Sequence, residues 1–228
     1  AISNSDNTTT FVSKINYPIN NYNVTLNIGD YVSFHAEYEA EDKTRLMLDY
    51  YVMPYHLEKA KAHFEQVKPM LKCYEKYLGK YPFWKDGYAL VETPYFGMEH
   101  QGAIAYGNNY RTGYGGRDHS RIGLDFDYII IHETAHEWWG NNVSCRDIAD
   151  MWIHESFATY TESIYVECMF GKDTALRYIN AQKNHVGNKS PVVGIYGVNE
   201  EGAGDMYAKG ALFLKKVCYL EKTWLITA

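Results

Sequence analysis

The sequence has no run of basic residues, no pair of cysteines in a CxxC arrangement, and no apolar run approaching the roughly 20 residues that cross a bilayer. Each absence removes a class of function. With 22 Lys and Arg against 28 Asp and Glu, the formal net charge is -6. No basic stripe is available to track phosphates, so nucleic acid is not an expected partner. The longest apolar runs, such as Ile129-Ile130-Ile131, are too short for a transmembrane segment. Cys73, Cys145, Cys168 and Cys218 are far apart, which leaves neither a zinc knuckle nor a thioredoxin-like motif. Four cysteines permit two disulfides, but the expectation for each is a buried free thiol. Residues 107–117, GNNYRTGYGGR, are rich in glycine yet lack the GxxxxGK[ST] pattern, so they form no phosphate cradle. There is no internal repeat or low-complexity tract. The chain also lacks an initiating Met and a charged-then-apolar leader, and its last residues, KKVCYLEKTWLITA, run out of a helical pattern without a cap. The expectation is a piece of a longer polypeptide.

What is present is an ordinary globular composition, 46% hydrophobic and 22% charged over 228 residues, long enough for one or two domains. Residues 1 to about 53 alternate apolar and polar side chains, as in the stretch Tyr22 to Ile28 closed by Gly29-Asp30, and predict antiparallel strands. From His56 to Tyr77 the apolar residues Leu57, Ala60, Phe64, Val67, Leu71 and Tyr74 recur at helical spacing, predicting an amphipathic helix kinked at Pro69. A short strand over 88–92 and a strand or hairpin over 95–106, interrupted by Gly97 and Gly102, come next. After the glycine-rich loop the pattern is helical over about 123–140, 152–170, 173–186 and 206–222, with a loop over 187–205. Strands followed by consecutive helices predict an α+β fold and not alternating βαβ units.

The densest chemistry lies in HETAHEWWGNNVSCRDIADMWIHES, residues 132–156. His132 and His136 are four apart, so on a helix both face one point, and Glu133 between them can meet a water there. That is the HExxH arrangement, two imidazoles for one zinc ion and a general base. The composition predicts about 0.02 such pentamers by chance, so the pentamer alone does not decide the matter. A catalytic zinc takes three protein ligands and an open fourth position. Eighteen residues separate His136 from Glu155, enough for one helix to end near Gly140, the chain to turn, and a second helix to begin. His132, His136 and Glu155 are therefore the expected ligands and Glu133 the base. Glu137 falls on another face and suits a surface or outer contact; His154 points away from the ion; Trp138 and Trp139 pack the helix. Glu162, two turns beyond Glu155 on the same face, is placed either to orient a ligand or to meet solvent.

HETAHEWWGNNV together with IHESFATYTE resembles the aminopeptidase N family of zinc metallopeptidases, gluzincins with a thermolysin-like catalytic domain. Gly97-Met98-Glu99-His100 looks like that family's Gly-Ala-Met-Glu-Asn exopeptidase motif, and Met206-Tyr207-Ala208-Lys209-Gly210-Ala211 like its Tyr-x-Lys-Gly-Ala stretch. The resemblance runs from about Asn16 to about Leu220. It implies that Gly97, Met98, Glu99 and His100 contact substrate, with Glu99 on the free α-amino group, and that Tyr207 donates a hydrogen bond to the oxyanion. Two motifs differ in detail: His100 stands where the family usually has Asn, and Ile153-His154-Glu155-Ser156 where Leu-Asn-Glu-Gly is commoner.

The resulting expectation is a zinc-dependent aminopeptidase acting on peptides with a free N-terminus. Residues 1–30 would be the remnant of an N-terminal β domain and residues 31–228 a thermolysin-like catalytic domain, with further N- and C-terminal domains belonging to the same polypeptide. An endopeptidase or epoxide hydrolase of related type, and a non-catalytic zinc-containing scaffold, are the competing readings. Glu133 and Tyr207 argue against the last, since structural zinc needs neither a base nor an open position. The compartment stays open, with a secreted or cell-envelope setting fitting somewhat better than the cytoplasm.

Overall fold

The computed structural model describes the backbone of residues 1–225 and the side chains of residues 1–218. Its frame is a five-stranded mixed sheet built from β3 (Val32–Glu39), β4 (Arg45–Val52), β5 (Tyr88–Glu92), β7 (Ile104–Tyr106) and β6 (Gly97–Met98), in that order across the sheet. The pairs β3/β4 and β7/β6 are antiparallel, while β4/β5 and β5/β7 are parallel. Strand β4 shows why the sheet has a core face: Leu46, Leu48, Tyr50 and Val52 alternate inward with Arg45, Met47 and Tyr51 outward. The central β5 has Tyr88, Ala89, Leu90 and Val91 all buried, as a parallel strand covered on both faces requires. A separate two-stranded ribbon, β1 (Ile2–Ser3) with β2 (Thr9–Thr10), lies outside this sheet.

Among the described residues six α-helices complete the α+β architecture: α1 (Leu57–His63), α2 (Val67–Leu78), α3 (Tyr128–Ala135), α4 (Trp152–Phe170), α5 (Lys172–Ala181) and α6 (Asp205–Leu225). Helix α4 is the hub, packing on α2, α3, α5 and α6. At the α4–α6 crossing a Cβ on Gly210 would fall 1.7 Å from Ser156 Oγ, so only glycine lets the two helices meet this closely. Among the described residues no helix is long and apolar enough to cross a membrane.

Four local expectations change. The break in the helix over 56–77 falls at a 3-10 turn, Phe64–Gln66, and not at Pro69. Pro69 instead sits in the first turn of α2, where its missing N–H has no intrahelical partner to lose. The stretch 22–28 is not a strand: Asn21–Asn23 form a 3-10 turn, and Val24, Leu26 and Ile28 that follow are exposed, with no strand beside them among the described residues. Helix α3 is shorter than the predicted 123–140. Its start is set by Asp127, whose carboxylate accepts from the Ile129 and Ile130 amides, and it ends at Ala135, with the chain leaving through turns before Gly140, whose φ is 127°. Finally, Cys73 and Cys168 are joined in a disulfide, Cα–Cα 6.1 Å, which ties α2 to α4; Cys145 is free, as expected, but half-buried and not buried.

Candidate active site

Helix α3 is buried on all sides, and its anchoring begins at Asp127. That carboxylate is inaccessible to solvent and holds, besides the two helix amides, His63 Nε2 at 2.7 Å, the Tyr106 hydroxyl at 2.7 Å and the Asn108 amide at 2.9 Å. One turn from the other end, His132 and His136 project together, and Glu155 reaches them from the first turn of α4. His132 Nε2 lies 3.2 Å from His136 Nε2 and 3.2 Å from Glu155 Oε2, and His136 Nε2 lies 3.4 Å from the same oxygen.

The other nitrogen of each imidazole is already committed. His136 Nδ1 is 2.9 Å from the Trp139 carbonyl, which can only accept, so that nitrogen carries a proton and Nε2 is the one that can offer a lone pair to a cation. His132 Nδ1 is 2.7 Å from Glu162 Oε1, a fully buried carboxylate that also accepts from the Tyr178 hydroxyl. Two imidazole lone pairs and a carboxylate oxygen thus converge. For a tetrahedral ion with bonds of about 2.0–2.1 Å, neighbouring donors stand about 3.3 Å apart. The donor set and its spacing fit one small divalent cation.

Glu133 stands beside this triad, and strand β6 presses against it. A Cβ on Gly97 would fall 2.7 Å from Glu133 Oε1 and 2.8 Å from Ile129, so the strand can lie here only with glycine at that position. Glu99 follows directly after this strand, buried, with its carbonyl accepting from the Asn141 amide at 2.8 Å. Glu99, Glu133 and His136 offer donor atoms within 4.8 Å of one another, and among the described residues neither glutamate pairs with a Lys or Arg. Burial raises the Glu133 carboxyl to about 7; His132 and His136 pull against it, while Glu99 and Glu155 add to it. Tyr207, on α6, is held well above its usual range by burial and then by the Glu155 charge, so its hydroxyl keeps its proton.

These residues line a cavity of about 290 Å³ with Gly97, Met98 and Glu99 on one wall. Of the residues expected from the sequence, the structure brings all but His100 to this cavity. His100 is buried with Nδ1 unpartnered, its amide turned back onto the Met98 carbonyl, and it does not line the space. Tyr22, Met151 and Glu201 line the cavity as well, unforeseen because nothing in their local pattern separates them from other tyrosines, methionines and glutamates. Glu137, placed on the surface or in an outer contact by its sequence position, is buried and accepts from the Gly102 amide at 2.8 Å. His154 Nε2 accepts from the Cys145 amide at 2.8 Å, away from the triad.

Residues 62–201 match the Peptidase family M1 domain. The chain belongs to peptidase family M1. Similar to it are an aminopeptidase N of Streptomyces lividans, 34% identical over 157 residues, and a leucyl aminopeptidase of Saccharolobus solfataricus, 28% identical over 123 residues. The first alignment covers 64% of this chain and 17% of the relative, the second 52% and 15%. This M1 chain therefore spans roughly a sixth of the length of those relatives. An M1 zinc metallopeptidase from Deinococcus radiodurans has the same fold, with a TM-score of 0.59 at 19% identity over 82% of this chain and 40% of that one.

Proposed function

We propose that this M1 chain carries the catalytic centre of a zinc-dependent aminopeptidase, with residues 31–228 as the catalytic domain and residues 1–30 as the tail of a preceding β domain. One observation carries the reading: beside the His132, His136 and Glu155 donors, the buried carboxylates of Glu99 and Glu133 face the same cavity, and among the described residues neither pairs with a Lys or Arg. A zinc ion answers the first group and a substrate ammonium the second.

His132, His136 and Glu155 hold the zinc, which when bound supplies Lewis acidity toward a water and a peptide carbonyl. Glu133, beside the donor triad, takes the proton of the attacking water and returns it to the leaving amine, acting as general base and then general acid. Tyr207 donates to the oxyanion that develops on the carbonyl carbon's oxygen. Glu99 fixes the α-ammonium by charge-assisted hydrogen bonds, and this selects the N-terminal bond. Gly97 and Met98 form the wall along which the peptide lies, with His100 behind it.

Glu133→Gln tests the base. It should retain one zinc per chain and lose about 10²- to 10⁴-fold in kcat toward aminoacyl-anilides. Unchanged turnover would remove Glu133 from the chemistry, and equal cleavage of a peptide and its N-acetylated counterpart would point to an endopeptidase instead.

A further inference from the structure

The short turn at residues 20–23 belongs to the segment expected to be outside the catalytic domain, yet its Tyr22 lines the cavity. It is fixed there by its own contacts. Asn20 caps the turn through the Tyr22 amide, buried Asn23 donates to Asn141 Oδ1 at 2.8 Å, and the Gln101 amide holds the Pro18 carbonyl at 3.0 Å. Asn141 is oriented by both its partners, since its own amide goes to the Glu99 carbonyl.

Tyr22 is thereby set with its hydroxyl 3.4 Å from Glu99 Oε1 and 3.5 Å from Asn141 Oδ1. Ordinary O–H···O bonds run about 2.5–3.0 Å, so the hydroxyl is drawn between two acceptors and closes on neither. What this corner lacks is a donor. A substrate ammonium brings three N–H groups, and Glu99 alone does not use them.

We propose that Tyr22 is a substrate-binding residue: its oxygen accepts one N–H of the α-ammonium while its proton turns to Asn141 Oδ1, so Glu99 and Tyr22 hold the amine together. The inference rests on the aminopeptidase reading. Burial, and after it the Glu99 charge, keeps Tyr22 protonated, so it enters as a neutral acceptor and adds no charge to an already acidic cavity. It also gives the turn at 20–23 a function, the completion of the site from a part of the chain far from the zinc motif.

Calorimetry on the zinc-loaded protein with two hydroxamates that differ only in the α-amino group, leucine hydroxamate and 4-methylpentanoyl hydroxamate, measures the worth of the amine as a ratio of Kd values. Tyr22→Phe should reduce the wild-type ratio about 10- to 100-fold, the range for one hydrogen bond to a charged group. A general loss of folding weakens both ligands alike and leaves the ratio unmoved. A ratio retained within twofold in Tyr22→Phe overturns the assignment while the aminopeptidase reading stands. No preference for the amine in the wild type overturns that reading and this one with it. Should Tyr22→Phe bind neither compound, Asn23→Ala, which loosens the turn from outside the cavity, carries the same comparison, and an unchanged ratio there counts against the proposal.

Discussion

His132 owes its readiness to bind a cation to Glu162. An imidazole with a free Nδ1 could present either nitrogen, but Glu162 Oε1 at 2.7 Å fixes the ring with Nε2 toward the triad. Glu162 is itself held, because the Tyr178 hydroxyl takes its second oxygen and no solvent reaches it. Such outer partners are worth about 10- to 100-fold in metal affinity. Glu162→Gln should therefore weaken zinc by that factor in competition with a chromophoric chelator, while the far-UV spectrum is unchanged. Affinity equal to the wild type would reduce Glu162 to a packing residue. The contact was half visible in the sequence, where two helical turns separate Glu162 from Glu155, but spacing alone does not tell a buried carboxylate from a solvated one.

Helices and strands with strong local signals were legible, and those decided by distant partners were not. Strand β5 and helix α4 fall at their predicted residues, because a short apolar run and a long periodic one each have a single stable reading. Helix α3 ran too long in the prediction because Ile129, Ile130 and Ile131 carry no sign of where the helix stops; it ends at Ala135, in the turn around His136. The strand expected at 22–28 fails for want of a neighbour, since alternation supplies a face but no partner. The Cys73–Cys168 link was out of reach for the same reason: 95 residues separate the two, and only the packing of α2 on α4 brings them together. That link closes a loop long enough to restrict the unfolded chain strongly, and losing a native disulfide costs about 2–5 kcal/mol. Thermal melts of Cys168→Ser, or of the wild type in dithiothreitol, should fall by about 5–15 °C. A melt that does not move would mean the bridge does not form in the folded protein.

Across the whole molecule, the fold commits buried ionisable groups around one cavity, and removing the cation must change how the entire domain responds to pH. The hydrophobic core does not depend on that cation: Tyr74, Leu71 and Val166 pack α2 and α4 around α3, so a chelated protein should melt lower but remain folded at room temperature. In the chelated chain, burial raises Glu133 to about 7 and Glu137 to about 8. Burial opposes charge on His136, but Glu155 and then Glu99 outweigh it and raise that imidazole to about 9. All three groups bind a proton more tightly folded than unfolded. Their contribution to stability is therefore complete below the unfolded carboxyl value of 4.5, shrinks as each folded value is passed, and is gone above about 9. Glu155, lowered chiefly by the two histidines against its own burial, runs the other way, but its window lies below 4.5. The melting temperature of the chelated protein should thus fall steadily from pH 5 to pH 9. With zinc restored, His136 stays unprotonated in the ion's coordination and its part of that slope disappears, so the zinc-loaded curve should be flatter. Parallel melts with and without zinc across this range would show the difference, and two superimposable slopes would mean that the ion does not sit on these residues.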